Sequence, residues 1–217
     1  MQFEVWTKGL ATLAVDCIVL GIFEEGELSG EAQSVDSASS GKLKKLLARG
    51  DFPGRPGETL LLTGLGAKKN FARKSWRRAW SAAVAAIART RIASVAVAID
   101  RPDSKELDDY YFGRGVAEIV GTSLYRVNDL KTAKKPKSPA LQKVLAGPVR
   151  KNGIEDTERG LEHGAAISAA QKIQRDLANL PGNVCTPSYL ADYMRRETIR
   201  QRDLAALTGI KMTSPPR

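Results

Sequence analysis

Residues 15–23 read VDCIVLGIF. Apart from Asp16 and Gly21 the run is apolar, and it is rich in β-branched side chains. A half-exposed strand alternates polar and apolar residues, whereas a strand covered on both faces does not. The stretch therefore predicts a buried strand in a sheet with helices on both sides. Outward from it, Gln2 to Trp6 does alternate, Phe3 and Val5 against Gln2 and Glu4, as an edge strand does. Glu58 to Gly66 (ETLLLTGLG) predicts a third strand running into a glycine-rich turn. Ser94 to Ile99 (SVAVAI) predicts a fourth and Ala140 to Ala146 (ALQKVLA) a fifth.

Helical patterns fall between these strands. Glu31 to Arg49 carries Ala32, Val35, Leu43, Leu46 and Leu47 at helical spacing. It is weak across Ser37 to Gly41, where serines and a glycine offer the backbone alternatives. Asn70 is expected to cap the next helix. On that helix Trp76, Trp80, Ala83, Val84 and Ile87 share one face, with Lys74 and Arg78 opposite and Arg77 on the flank. Leu107 to Tyr125 reads as a helix interrupted at Gly113 and Gly115. Gly50 to Gly57 and Lys131 to Pro139 read as loops, and Gly147 to Asp156 as a polar linker. Glu158 to Leu190 is a long Ala-rich helix, an Asn-Leu-Pro-Gly-Asn turn and a Thr-Pro pair that opens a new helix. The alternation predicts an α/β fold: a mixed sheet of about five strands with helices on both faces, followed by a long linker helix. The expected division is residues 1–150, a linker helix over 151–180, and the start of another domain over 181–217.

Composition narrows the function classes. The chain has 217 residues, 42% hydrophobic, enough for a core. A membrane-spanning helix needs roughly 20 apolar residues, and the longest run, Ala14 to Phe23, is half that. The N-terminus lacks the basic-then-apolar order of a signal peptide. Cys17 and Cys185 fall in different elements and form no CxxC, so both are expected to be reduced, and the setting cytoplasmic. The formal charge of +10 admits a nucleic-acid partner or a plain basic surface.

Few motifs carry chemistry. Gly57, Gly64 and Gly66, followed by Lys68 and Lys69, suggest a phosphate-binding turn, but fit neither GxGxxG nor GxxxxGK[ST]; a structural turn is the simpler reading. His163 is the only histidine and reads as a solvated helical residue. No HExxH or Cys/His zinc spacing is present. Glu24, Glu25 and Glu27 read as a turn, and Asp108 with Asp109 as a helix start. Arg73, Lys74, Arg77, Arg78, Lys134, Lys135 and Lys137 are the candidate phosphate contacts for DNA. Trp76 and Trp80, at helical spacing with Val84 and Ile87, read as core.

Near the end of the chain, Arg175-Asp176-Leu177, Asn179-Leu180-Pro181, Asn183, Cys185-Thr186-Pro187 and Tyr189-Leu190-Ala191 resemble the leucyl (cytosol) aminopeptidase family. The matching segment joins that family's N-terminal domain to its catalytic domain. Thr186 is a good N-cap, and Pro187 suits the first helical position. Upstream, Asp16 to Phe23, Gly41-Lys42-Leu43, Gly50-Asp51-Phe52, Gly57 to Leu62 and Tyr125-Arg126 follow the family's order. The resemblance covers the chain to about Thr198. It implies a macro-domain-like N-terminal domain and an exopeptidase that removes N-terminal amino acids with two divalent metals, Mn or Zn. It also implies a cytoplasmic hexamer.

Two departures shape the expectations. Leu60-Leu61-Leu62 is followed almost at once by Gly64-Leu65-Gly66, as if one strand were missing, which implies a five-stranded sheet or a gap in its middle. The family's metal-binding lysine and carboxylates and its catalytic arginine lie in the domain that follows. No catalytic, cofactor-binding or metal-binding residue is therefore expected within the chain, which is read as inactive alone, with an assembly or regulatory role. The alternative functions are DNA binding, or nucleotide or ADP-ribose binding near Gly64 to Lys69.

Overall fold

The computed structural model describes residues 1–7, 9, 13–25, 28, 30–38, 40–41, 59–101, 105–126 and 140–208. Five strands, β1 (Gln2–Val5), β2 (Cys17–Phe23), β3 (Thr59–Gly66), β4 (Ser94–Ala98) and β5 (Lys143–Ala146), form one sheet in the order β1-β5-β4-β2-β3. The helices are α1 (Gly30–Ala38), α2 (Arg73–Ile87), α3 (Asp109–Leu124), α4 (Ile154–Ala178) and α5 (Pro187–Thr208). The expected five-stranded α/β fold is present. All four ladders are parallel, so the sheet is more uniform than the mixed one expected. The antiparallel element among the described residues is a single bridge, Ile22 to Leu28.

Of the two alternatives, a five-stranded sheet or one with a gap in its middle, the first is present. β2 is hydrogen-bonded to β3 on one side and β4 on the other. Leu60-Leu61-Leu62 and Gly64-Leu65-Gly66 lie in one edge strand, β3, so nothing connects them but Thr63 and the sheet's middle is intact.

Each face of the sheet buries a different core. Cys17, Val19 and Phe23 of β2, with Val95, Val97 and Val144, pack against Trp76, Trp80, Val84, Phe112 and Val116 of α2 and α3. Leu20, Ala96, Ala98 and Leu145 face the other way, onto Ala32 of α1 and onto Trp6. Trp76 and Trp80 are fully buried, as their spacing predicts.

Three sequence expectations need correction. Asn70 does not cap α2. It closes a short 3-10 turn, Lys68–Asn70, and the cap residue is Ala72. Ala72 has no side-chain acceptor, so Ser75 takes that part: its hydroxyl accepts from the Ala72 N–H at 2.8 Å. Gly113 and Gly115 do not interrupt α3, which is continuous. A methyl group built on Gly113 would overlap the Thr157 carbonyl oxygen of α4. One on Gly160 would overlap the Tyr110 carbonyl, and one on Gly164 the Arg114 carbonyl. These glycines let the α3 and α4 backbones touch. Finally, 147–156 is not a free polar linker. Val149 is buried and donates its N–H to the Trp6 carbonyl at 3.0 Å, and α4 begins at Ile154.

Two expected helix starts are met. Asp108 caps α3, accepting from the Tyr111 N–H at 2.8 Å. The helix expected over Glu31 to Arg49 is shorter: α1 ends at Ala38, Ser40 and Gly41 take positive φ values of 57° and 75°, and residues 42–50 lie outside the described residues. Thr186 caps α5, its hydroxyl accepting from the Tyr189 N–H at 3.2 Å. The chain divides into two compact units, Met1–Lys172 and Ile173–Arg217, so most of α4 belongs to the first. The second holds the last turn of α4, the turn around Pro181 and α5.

Candidate functional site

The glycine-rich turn after β3 is built as structure. Gly66, at φ 78°, adopts a left-handed conformation that suits glycine. Its carbonyl accepts from the Glu24 N–H at 3.2 Å. The Lys68 N–H donates to the Glu25 carboxylate, 3.2 Å from each oxygen. Where β4 ends, Asp100 Oδ2 accepts from the Gly30 N–H at 2.9 Å, at the start of α1. Glu31 stands beside it, its carboxyl pushed above the usual range by burial and then by the Asp100 charge. A helix start next to strand ends is where a phosphate gains most from backbone N–H groups. Here carboxylates already hold those groups, which repel a phosphate. The geometry gives the ADP-ribose reading no support.

The groups usually needed for acid–base or metal chemistry are dispersed. His163 is exposed, with Nδ1 3.0 Å from the Tyr110 hydroxyl. Cys17 is buried, and burial pushes its thiol up to about 11, so it stays protonated and unreactive at neutral pH. Among the described residues, no three His, Cys, Asp or Glu side chains gather closely enough to hold a metal ion. The described residues therefore do not fit a two-metal site.

The candidate phosphate contacts divide into three groups. Lys134, Lys135 and Lys137 lie outside the described residues. Lys74 and Arg78 are exposed on the solvent side of α2. Arg73 and Arg77 turn toward α3. The Arg73 guanidinium lies 5.0 Å from the centre of the Tyr111 ring, and Arg77 is 3.5 Å from Glu118. Sequence reasoning missed the partners that join them. Arg114 lies 3.6 Å from Glu118 and 5.9 Å from the Tyr111 ring centre. Arg159 lies 5.6 Å from the Tyr110 ring centre and 2.6 Å from Asp156. The result is a face where arginines and tyrosines interleave across α2, α3 and α4. Arg114 and Glu118, four apart on a helix, were the readable signal of it.

Residues 19–134 match the N-terminal domain of the cytosol aminopeptidase family. The chain is 34% identical over 206 residues to a probable cytosol aminopeptidase of Alkalilimnicola ehrlichii, covering 88% of this chain and 41% of the relative. It is 32% identical over 219 residues to one of Nitrosococcus oceani, covering 95% and 44%. The chain thus spans less than half the length of these relatives. Its fold is similar to that of a mutant of tomato leucine aminopeptidase, at a TM-score of 0.73 and 20% identity, over 90% of this chain and 42% of that one. It is also similar to the bottromycin maturation enzyme BotP, at a TM-score of 0.56 and 22% identity, over 90% and 38%. That enzyme has also been solved in complex with Mn. Sequence match and shared fold together place the chain in the cytosol aminopeptidase family, a family of metallo-aminopeptidases, with residues 19–134 forming its N-terminal domain.

Proposed function

We propose that this chain is the N-terminal portion of a metal-dependent leucyl aminopeptidase of the cytoplasm, that it is inactive alone, and that it serves assembly or regulation of a homo-oligomer, a hexamer by family. The observation that carries the reading is the family match over residues 19–134, which falls on the sheet-and-helix unit. That unit is organised around packing. Its buried glycines, tryptophans and valines hold helices to a sheet, and its carboxylates serve caps and turns. The family's two divalent metals, Mn or Zn, do not fit the described residues, so no step of peptide hydrolysis runs through them.

The test is direct. Purified chain supplied with Mn or Zn is expected to release no leucine from Leu-p-nitroanilide, and metal-dependent release would overturn the reading. Sedimentation velocity at micromolar concentration is expected to show an oligomer, and a strictly monomeric chain would remove the assembly role.

Binding of duplex DNA is the second reading, favoured by the exposed Lys74 and Arg78 and the charge of +10. Tyr111 and Glu118 already engage Arg73, Arg77 and Arg114, which weakens it. A mobility shift that vanishes between about 50 and 200 mM salt would support phosphate contacts. No shift at the lower salt would dispose of them.

A further inference from the structure

The outer edge of β1 borders an open groove of about 540 Å³, floored by α4. Gln2 and Trp6 donate their N–H groups to the Gln142 and Ala146 carbonyls, at 2.8 and 3.1 Å. In a parallel ladder, successive residues turn their backbone groups to opposite sides. The N–H and C=O groups of Phe3 and Val5 therefore point away from β5, along the rim of the groove. Among the described residues no strand pairs with them. The groove wall is apolar where Phe3, Val5, Leu161 and Ala165 line it, and acidic where Glu158 and Glu162 rise from successive turns of α4. Both glutamates are exposed. Neither has an ion-pair partner among the described residues. A third acid on the rim, Glu4, is neutralised by Lys143 at 2.8 Å.

We propose that this groove binds an extended cationic peptide segment, added as a strand beside β1. The backbone groups of Phe3 and Val5 would supply the pairing. On the α4 side of the incoming strand, alternate lysines or arginines would lay their methylene stems on the apolar wall and carry their charges to Glu158 and Glu162. β1 has four residues and spans about 13 Å, so it accommodates a segment of roughly four residues. Charge complementarity selects the occupant: the two unpaired acids favour a basic segment, and a helix would leave the edge groups of β1 unpaired. The proposal does not depend on the peptidase reading.

The probe is a fluorescent, end-blocked peptide of alternating lysine and valine, titrated into the full 217-residue chain by anisotropy. Saturable binding is expected, weakened at least about threefold between 50 and 500 mM salt. Glu158→Gln with Glu162→Gln should weaken it about tenfold, and their exposure leaves the fold intact by circular dichroism. A peptide N-methylated at alternate backbone amides should not compete. No saturable binding, binding unchanged by the double substitution, or equal competition by the N-methylated peptide would each overturn the proposal. So would a dimer of the chain that the double substitution dissolves while the peptide fails to bind, because the occupant would then be a second copy.

Discussion

The two faces of the sheet are built from unequal residues on the same strands. On β4, Val95 and Val97 point to α2 and α3, while Ala96 and Ala98 point to the α1 side. β2 also divides between the faces, with Cys17, Val19 and Phe23 on one and Leu20 on the other, but without that size difference. All these residues are apolar, so on β4 the alternation is one of size. One face carries Trp76, Trp80 and Phe112 over valines; among the described residues the other carries α1 and Trp6 over Ala96, Ala98, Leu20 and Leu145. A continuous apolar run thus encodes two different surfaces. The larger one also carries the α3–α4 crossing, and above it the arginine–tyrosine face.

The hardest blow to the larger face is Gly160→Leu. Backbone atoms of Tyr110 and Arg114 occupy the space of the new side chain, and backbone cannot retreat as a flexible side chain can. The expected cost is about 3 kcal/mol or more, read as a lowered urea midpoint or loss of the cooperative transition. Gly64→Ala, where a methyl group meets nothing within 4 Å, is the control and should cost less than about 1 kcal/mol. Equal effects would show that the helices do not touch as described.

Swapping sizes across β4 tests the comparison itself. Val97→Ala with Ala98→Val keeps composition and hydrophobicity but inverts the pattern, leaving a cavity on one face and crowding the other. Thermal or urea unfolding should show a loss of about 2–4 kcal/mol. A loss under about 1 kcal/mol would mean the two faces are interchangeable.

These two tests mark what was legible in the sequence. Periodicity exposed the strands, the buried face of α2 and the basic positions Lys74 and Arg78, because each is a local property of the chain. The role of Gly113 was not local. Glycine lowers helix propensity by about 1 kcal/mol, so it reads as an interruption. Its compensation, contact with Thr157, lies far along the chain. Ala72 took the cap position from Asn70 for a similar reason: the 3-10 turn that uses Asn70 has no clear sequence signature. The arginine–tyrosine face joins α2, α3 and α4; Arg73 and Arg77 were named from one helix, but their partners lie on another.

Within the larger core the two tryptophans differ. Trp80 Nε1 donates to the Val116 carbonyl at 3.2 Å, whereas Trp76 Nε1 has no partner among the described residues. Trp76→Phe removes an unsatisfied donor, and Trp80→Phe removes a satisfied one. Both leave a gap, but the second should cost about 1 kcal/mol more. Equal urea midpoints for the two variants would mean that the bond to Val116 contributes nothing.

The smallest effects are electrostatic, and they have opposite signs. Asp16 accepts from the Ala93 and Ser94 N–H groups, each at 2.9 Å. Those bonds, Ala93 first, hold its carboxyl below the usual range. A depressed folded-state value means that its stabilisation is present above the unfolded value of about 3.9 and is lost as pH falls through the folded one. Asp16 is exposed, so Asp16→Asn should cost under about 1 kcal/mol at pH 7, and less still at pH 3. Glu31 is the reverse case. Burial, then Asp100, raises its folded-state value, so stability is greater when it is protonated and falls as pH rises through that value. Glu31→Gln should therefore raise the urea midpoint at pH 7 and leave it unchanged at pH 3. A lower midpoint at pH 7 would mean that the Glu31 charge has a favourable partner on the α1 side, and that this face is held by electrostatics as well as by its small core.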